Sequence, residues 1–285
     1  MIYGLDGTVK TAIYSLESSA PSAYALNGTQ VFPDGNLPLK VMSYNVGSWT
    51  SFGSKATSAN QEFWYALQSG IFNTERPDLC GIQEYYSAIG SYSVPTMLSQ
   101  YFISQYEVDW VSTKAGRGLC ANYTMSNAHE VNFQNQNGEI RSYLIADMTI
   151  NGKAVKFLTA HLALENETIA LQIGELLSAV ANFDYWILTG DFNINFPDAQ
   201  STGYTMLVKP FLDAGYHVAN GSTFGFIPTF STKNPGDDSD WRYLDNIMCS
   251  ANIDITDVYV NLAKMTAITT QGIDHLPLIA EMVIN

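Results

Sequence analysis

Basic residues are scarce in this sequence. Of its 285 residues only 13 are Lys or Arg, against 27 Asp or Glu, and the formal charge is −14. A module that holds nucleic acid stoichiometrically displays a basic face, so that class is disfavoured. An enzyme escapes the objection if bound cations neutralise part of its site, because a metal ion is often the largest local charge. Cysteine is nearly as rare: Cys80, Cys120 and Cys249 each sit in an apolar run. An odd number at such positions makes no disulfide framework, and the three read as small buried hydrophobes. No His/Cys cluster has zinc-ligand spacing, which disfavours a zinc hydrolase. No run of about 18 apolar residues occurs, so no membrane partner is expected. The start, MIYGLDGTVK, has no basic-then-apolar leader pattern. The expected location is therefore cytoplasmic or particle-associated.

What is present suffices for one large layered domain: hydrophobic residues make up 46% of the chain, the proportion of a globular protein. Residues 1–37 stand apart, rich in Ser, Ala, Gly and Tyr with Lys10 as their one basic residue. A hairpin around Asn27-Gly28 is expected there. This stretch reads as an N-terminal appendage whose role the sequence leaves open, attachment to a larger assembly, as in phage or prophage tail-associated proteins, being one option. Residues 38–285 form the second unit. Apolar runs at Leu39–Asn45, Leu79–Gln83, Tyr185–Thr189, Tyr243–Cys249 and Leu276–Ile284 predict strands, with more between Tyr106 and His161. Asn151-Gly152 between two such runs predicts a hairpin. Helical spacing predicts helices over Ser58–Asn73 (Phe63, Leu67, Ile71), Pro95–Phe102, Glu167–Ala181 (Ile169, Leu171, Ile173, Leu176, Leu177, Val180) and Thr202–Ala214. Many strands with a few helices between them suggest sheets flanked by helices.

Polar residues recur at the ends of these apolar strands: Asn45 in SYNV, Glu84 in IQE, His161 in TAHL, Asp191 and Asn193 in GDFN, Asp245 in LDNI, and Asp274-His275 in DHLP. Taken singly, each has an ordinary explanation as a turn residue, a cap or a hydrogen-bonded half-buried histidine. The six motifs in this order resemble the endonuclease/exonuclease/phosphatase family, which includes pancreatic-type deoxyribonuclease; the likeness covers roughly residues 38–285. It implies an α+β fold, a four-layer α/β sandwich in which two mostly antiparallel β-sheets pack face to face with helices outside. The site is then expected at one sandwich edge, on strand-end loops.

The resemblance also implies chemistry. Phosphodiester hydrolysis needs an in-line nucleophile, neutralised phosphate oxygens and help for the leaving oxygen. Hard oxygen ligands suit Mg²⁺ (or Mn²⁺), with Glu84 as principal ligand, Asn45 alongside and Asp274 as an additional one. By the same resemblance Asp191 orients or deprotonates water, Asn193 hydrogen-bonds phosphate or helps fix a metal, and His161 and His275 face the scissile group, with Asp245 paired to His275. A carboxylate for His161 cannot be named from the sequence. Arg141 is the candidate substrate-phosphate contact, a solvated strand-edge Arg being the ordinary alternative. Departures from the family pattern are Gly47, Asn246 and Ile273. The expected activity is a nuclease, with DNA ahead of RNA as substrate. The alternatives are a phosphatase or phosphodiesterase on a small or lipid phosphate, or an inactive scaffold that only binds, which the complete motif set disfavours.

Overall fold

The structure, a computed structural model, describes residues 2–3, 9–10, 38–47, 58–111, 114–231, 240–262 and 274–285. The chain divides into two units, Met1–Leu37 and Pro38–Asn285. In the first, β1 (Ile2–Tyr3) and β2 (Val9–Lys10) pair antiparallel. The hairpin expected around Asn27-Gly28 lies outside the described residues.

The second unit begins with β3 (Leu39–Asn45), helix α1 (Ser58–Glu75) and β4 (Leu79–Gln83). A small hairpin, β5 (Ala88–Ile89) and β6 (Tyr92–Ser93), leads into the short α2 (Val94–Leu98). Five strands follow: β7 (Ser104–Val108), β8 (Arg117–Ala121), β9 (Ser126–Asn132), β10 (Ser142–Ile150) and β11 (Lys153–His161). Then come α3 (Asn166–Val180), β12 (Trp186–Asp191), α4 (Lys209–Asp213), β13 (His217–Val218), β14 (Asp245–Cys249), β15 (Ile253–Val260) and β16 (Leu278–Ile284). Two six-stranded sheets result, ordered β13-β14-β12-β11-β10-β9 and β15-β16-β3-β4-β8-β7. Each is antiparallel except for one parallel pair, β11 with β12 and β3 with β4. Asn151-Gly152, both at positive φ, makes the β10–β11 turn, the conformation a tight two-residue hairpin requires.

Three apolar layers hold this sandwich together. Val41, Leu79, Leu119, Leu144, Phe157, Ile187 and Ile247 from both sheets meet in the middle. Met42, Tyr44, Cys80 and Ile82 on the opposite face of their sheet pack against Trp64, Ile71 and Phe72 of α1. Leu158, Ala160 and Leu188 pack against Ile169, Ile173, Leu176 and Val180 of α3. Strands buried on both faces read as continuous apolar runs, which is why they were legible. The three cysteines are buried and unpaired. Among the described residues no helix is long and apolar enough to cross a membrane.

Some helix readings need correction. The buried stripe of α1 is Trp64, Gln68, Ile71 and Phe72, and Phe63 is 44% exposed; adjacent aromatics lie about 100° apart on a helix, and the larger ring takes the core. Leu171 of α3, two positions from Ile169, falls on the outer face and is 54% exposed. The helix expected over Thr202–Ala214 is a wide π turn at Tyr204–Val208 running into α4. There the Lys209 N–H donates to the Tyr204 carbonyl, just before Pro210, which has no N–H of its own to continue the ladder.

Candidate active site

Alternation along each strand sends every second side chain to the space between the sheets. Followed toward one end, that inner face changes character. Val41, Leu79, Phe157 and Ile187 are apolar; two residues on stand Ser43, Gly81, Thr159 and Thr189, and two further on stand Asn45, Gln83, His161 and Asp191. The middle layer lets the sheets approach closely. A Cβ at Gly81 would lie 1.8 Å from Thr189 Oγ1 and 2.6 Å from Thr159 Oγ1. Gln83 Nε2 crosses the gap to donate to Thr159 Oγ1 at 2.9 Å. The outermost layer is in register across the edge. In one sheet Asp245 stands opposite Asp191, Asp191 beside His161 and His161 opposite Ser142; in the other Asn45 stands beside Gln83 and Gln83 opposite Arg117.

Asp191 is the hub. Its Oδ2 accepts from Asn45 Nδ2 at 2.9 Å and lies 3.4 Å from His275 Nε2 and 3.5 Å from His161 Nε2. Its Oδ1 accepts the Asn193 backbone N–H at 2.9 Å. Burial raises its carboxyl above the ordinary range, Asp245 adds to this, and His275 opposes it. Asn193 adopts φ 53°, which turns its side-chain Nδ2 back onto the Leu162 carbonyl at 2.8 Å. Asn is among the few residues that take this conformation readily.

The two histidines are held in opposite states. His275 Nδ1 donates to Asp245 Oδ2 at 2.8 Å. Burial alone would lower its pKa, but Asp245 and Asp191 outweigh it and raise the ring to about 10. The Asp245 backbone is held in turn by Thr229, whose Oγ1 accepts the Asp245 and Leu244 N–H groups, while Phe230 packs edge-on against the His275 ring. His161 has no such support. Its Nδ1 is buried without a partner, and its pKa is driven well below the usual value by burial, then by Arg141, Arg117 and His275. Burial and cationic neighbours thus favour the neutral ring at His161, while two carboxylates favour the charged ring at His275; Asp191 meets His161 at Nε2.

Glu84 and Asp274 form a carboxylate pair facing this hub. Glu84 Oε1 accepts from Asn45 Nδ2 at 3.3 Å, while Glu84 Oε2 and Asp274 Oδ1 are buried with no partner. Burial, then Asp274 and Asp191, push Glu84 up to about 7. Uncompensated carboxylate oxygens at this density call for a cation, and hard oxygen donors fit Mg²⁺ or Mn²⁺. Asp191, Asp245 and His275 also bring ligand-capable atoms within 4.8 Å of one another, but there the charged imidazole already bridges the carboxylates. Asn45 presents its NH₂ group to the acids, because its Oδ1 is held by the Gly47 N–H at 2.9 Å.

Arg141 is buried rather than solvated, ion-paired to Glu139, and its Nε and Nη1 have no partner. All nine expected site residues thus lie at this end of the sandwich. Arg117, Thr229 and Phe230 belong there too. Arg117, in GRGLCANY, is a weaker sequence candidate for substrate contact than Arg141; Thr229 and Phe230 carried no sequence signal.

No protein-family model and no curated protein matches the chain. Solved structures do match. Humanized D. rerio TDP2 with 14 mutations superposes with a TM-score of 0.65 at 16% identity, over 86% of this chain and 98% of that one. ANGEL2, a 2′,3′-cyclic phosphatase, gives 0.65 at 14% identity over 88% and 96%. An endonuclease/exonuclease/phosphatase family protein from Bacteroides thetaiotaomicron gives 0.61 at 14% identity over 88% and 99%. The chain has the deoxyribonuclease I-like endonuclease/exonuclease/phosphatase fold that the six motifs implied.

Proposed function

We propose that this chain is a divalent-metal-dependent phosphoesterase that cleaves nucleic-acid phosphodiesters, DNA before RNA. The observation that carries the reading is the convergence of both motif histidines on one oxygen of Asp191, 3.4 and 3.5 Å away, beside the unpartnered Glu84 and Asp274 carboxylates. Glu84 and Asp274 would hold Mg²⁺ or Mn²⁺, which neutralises charge on the non-bridging phosphate oxygens. Asn45 would serve by aligning the Glu84 and Asp191 carboxylates.

The protein's own groups divide the remaining work. Asp191, its basicity raised by burial, orients water and takes its proton. His275, kept cationic by Asp245, donates to phosphate from Nε2. Neutral His161 offers a second imidazole to the same group, and Asn193 fixes the Asp191 carboxylate through its backbone N–H. Two titratable groups pushed in opposite directions is the pattern by which acid and base roles are assigned. DNA is favoured because D. rerio TDP2, of the same fold, holds a single-strand DNA product.

The test is a substrate panel of plasmid DNA, RNA, bis(p-nitrophenyl) phosphate and phosphomonoesters, with Mg²⁺ or Mn²⁺ and with excess chelator. Metal-dependent cleavage of DNA is expected. Turnover undiminished in chelator would end the metal assignment, and hydrolysis confined to monoesters would replace the nuclease with a phosphatase.

A further inference from the structure

A buried cation reaches His161 from the side away from Asp191. Arg117 stands on β8 opposite Gln83 of β4. Leu119, two residues on, belongs to the layer between the sheets, so by alternation Arg117 also points into that space. Gln83 crosses it to Thr159, two residues before His161. In the facing sheet Ser142 stands opposite His161, and its hydroxyl donates to Glu130 Oε1. The same oxygen accepts Arg117 Nη2 at 3.0 Å. Directly opposed side chains of a sheet are about 5 Å apart, so this anchor puts the guanidinium beside the imidazole. Arg117 is fully buried, and its Nε and Nη1 have no partner.

The two ring nitrogens therefore face opposite chemistry. Across the sheet Asp191, His161 and Ser142 are consecutive, so Asp191 and the Arg117 anchor flank the imidazole. Nε2 lies 3.5 Å from Asp191 Oδ2, a carboxylate oxygen that takes a hydrogen bond from Asn45 as well. Nδ1 is buried with no hydrogen-bond partner. A proton there would be a buried donor with nothing to receive it, beside a guanidinium that only donates; a lone pair there is attracted by that charge. Burial lowers Arg117 itself to about 10, so it is cationic at neutral pH. The other charges acting on the ring are Arg141 and, on the Asp191 side, His275. We infer that Arg117 is a positioning residue for His161, fixing a neutral ring whose proton sits on Nε2 and points toward Asp191 and the scissile group. His161 then works as an uncharged hydrogen-bond donor, whereas His275 spends its Nδ1 proton on Asp245. Delivery of that donor to a phosphate rests on the phosphoesterase reading above; the position of the proton does not.

Nitrogen NMR of the imidazoles in the metal-free full chain reads the proton's position directly. The chain has 4 histidines, and the signals missing from His161→Gln identify this one. At about pH 6, where an ordinary histidine is mostly cationic, wild-type His161 should be neutral and protonated on Nε2. Arg117→Met, similar in volume but uncharged, should raise the His161 titration midpoint by roughly one pH unit or more. Arg117→Lys, which keeps the charge, should hold it near the wild-type value. An unmoved midpoint in Arg117→Met, with only the melting temperature lowered, would mean a purely structural role and overturn the proposal. So would a wild-type ring that is cationic, or protonated on Nδ1, at about pH 6. If Arg117→Met does not fold, the wild-type spectrum decides: neutral Nε2–H supports the proposal and either other state overturns it. On any substrate that is cleaved, Arg117→Met should lower kcat; a rise in KM alone would make Arg117 a substrate contact and overturn it. Should no substrate be cleaved while His161 keeps its proton on Nε2, the phosphoesterase reading falls and the assignment stands.

Discussion

At φ 56° Glu84 holds a left-handed conformation that a Glu adopts only at a cost of about 1–3 kcal/mol. Its carboxylate is also raised to about 7 by burial and neighbouring acids. A group whose folded pKa lies above its unfolded value destabilises the fold increasingly as pH rises from the unfolded pKa through the folded one. Metal-free Glu84→Gln should therefore be more stable than the parent at pH 8, by roughly 1–3 kcal/mol. The gain should vanish by about pH 3, where both states of Glu84 are protonated, and activity should be lost at every pH. Denaturant melts at the two pH values check this; no gain at pH 8 would mean the carboxylate is already compensated. Asp245 and His275 belong to the same scale. Because Asp245 anchors and charges the ring, Asp245→Ala and His275→Ala should each cost orders of magnitude in turnover, and the double variant little more. Fully multiplicative losses would show two separate roles. Removing a partner that raises a pKa lowers it, so Asp245→Asn should bring the alkaline fall in rate from near 10 toward neutrality.

Strand β4 shows how an element positions the site. Its helix-facing residues Cys80 and Ile82 tie it to α1, and on its other face Gly81 admits the Thr159 and Thr189 hydroxyls. Gly81→Ala would drive a methyl into both hydroxyls, against two sheets that cannot both yield. A loss of about 2–4 kcal/mol is expected, with Glu84 displaced at the strand's end and activity falling further than stability alone accounts for. Thermal melting and assay of the folded fraction measure the two effects; an unchanged melting temperature would mean the sheets are farther apart than the structure shows.

For the whole molecule the governing number is the charge of −14. Without divalent cations the chain should bind an oligonucleotide more weakly than the ~10⁻⁴–10⁻⁶ M typical of basic DNA-binding proteins. Added Mg²⁺ should tighten binding, because it supplies charge at the carboxylate pole. Fluorescence anisotropy with a catalytically dead His275→Ala variant reads this directly. Affinity that is strong in EDTA would mean that basic side chains rather than bound cations carry the contact.

Period and order made much of this protein legible beforehand. Apolar runs located the strands because a strand buried on both faces has no polar side to confuse it. Six motifs at strand ends, in the order of the family they resemble, pointed to residues that the fold brings to one sheet edge. The sequence alone could not say which face of α1 goes inward, since spacing leaves Phe63 and Trp64 equivalent until a sheet is laid against them. Nor could it tell that His161 lacks a carboxylate at Nδ1 while His275 has one. His161 is lowered by burial and by Arg141 and Arg117, 20 and 44 residues upstream of it, whereas His275 is raised by Asp245, 30 residues upstream. Which strand pairs beside which is set by long-range packing, and so the charge on each imidazole, a sum over neighbours distant in the chain, is decided only in the folded sandwich.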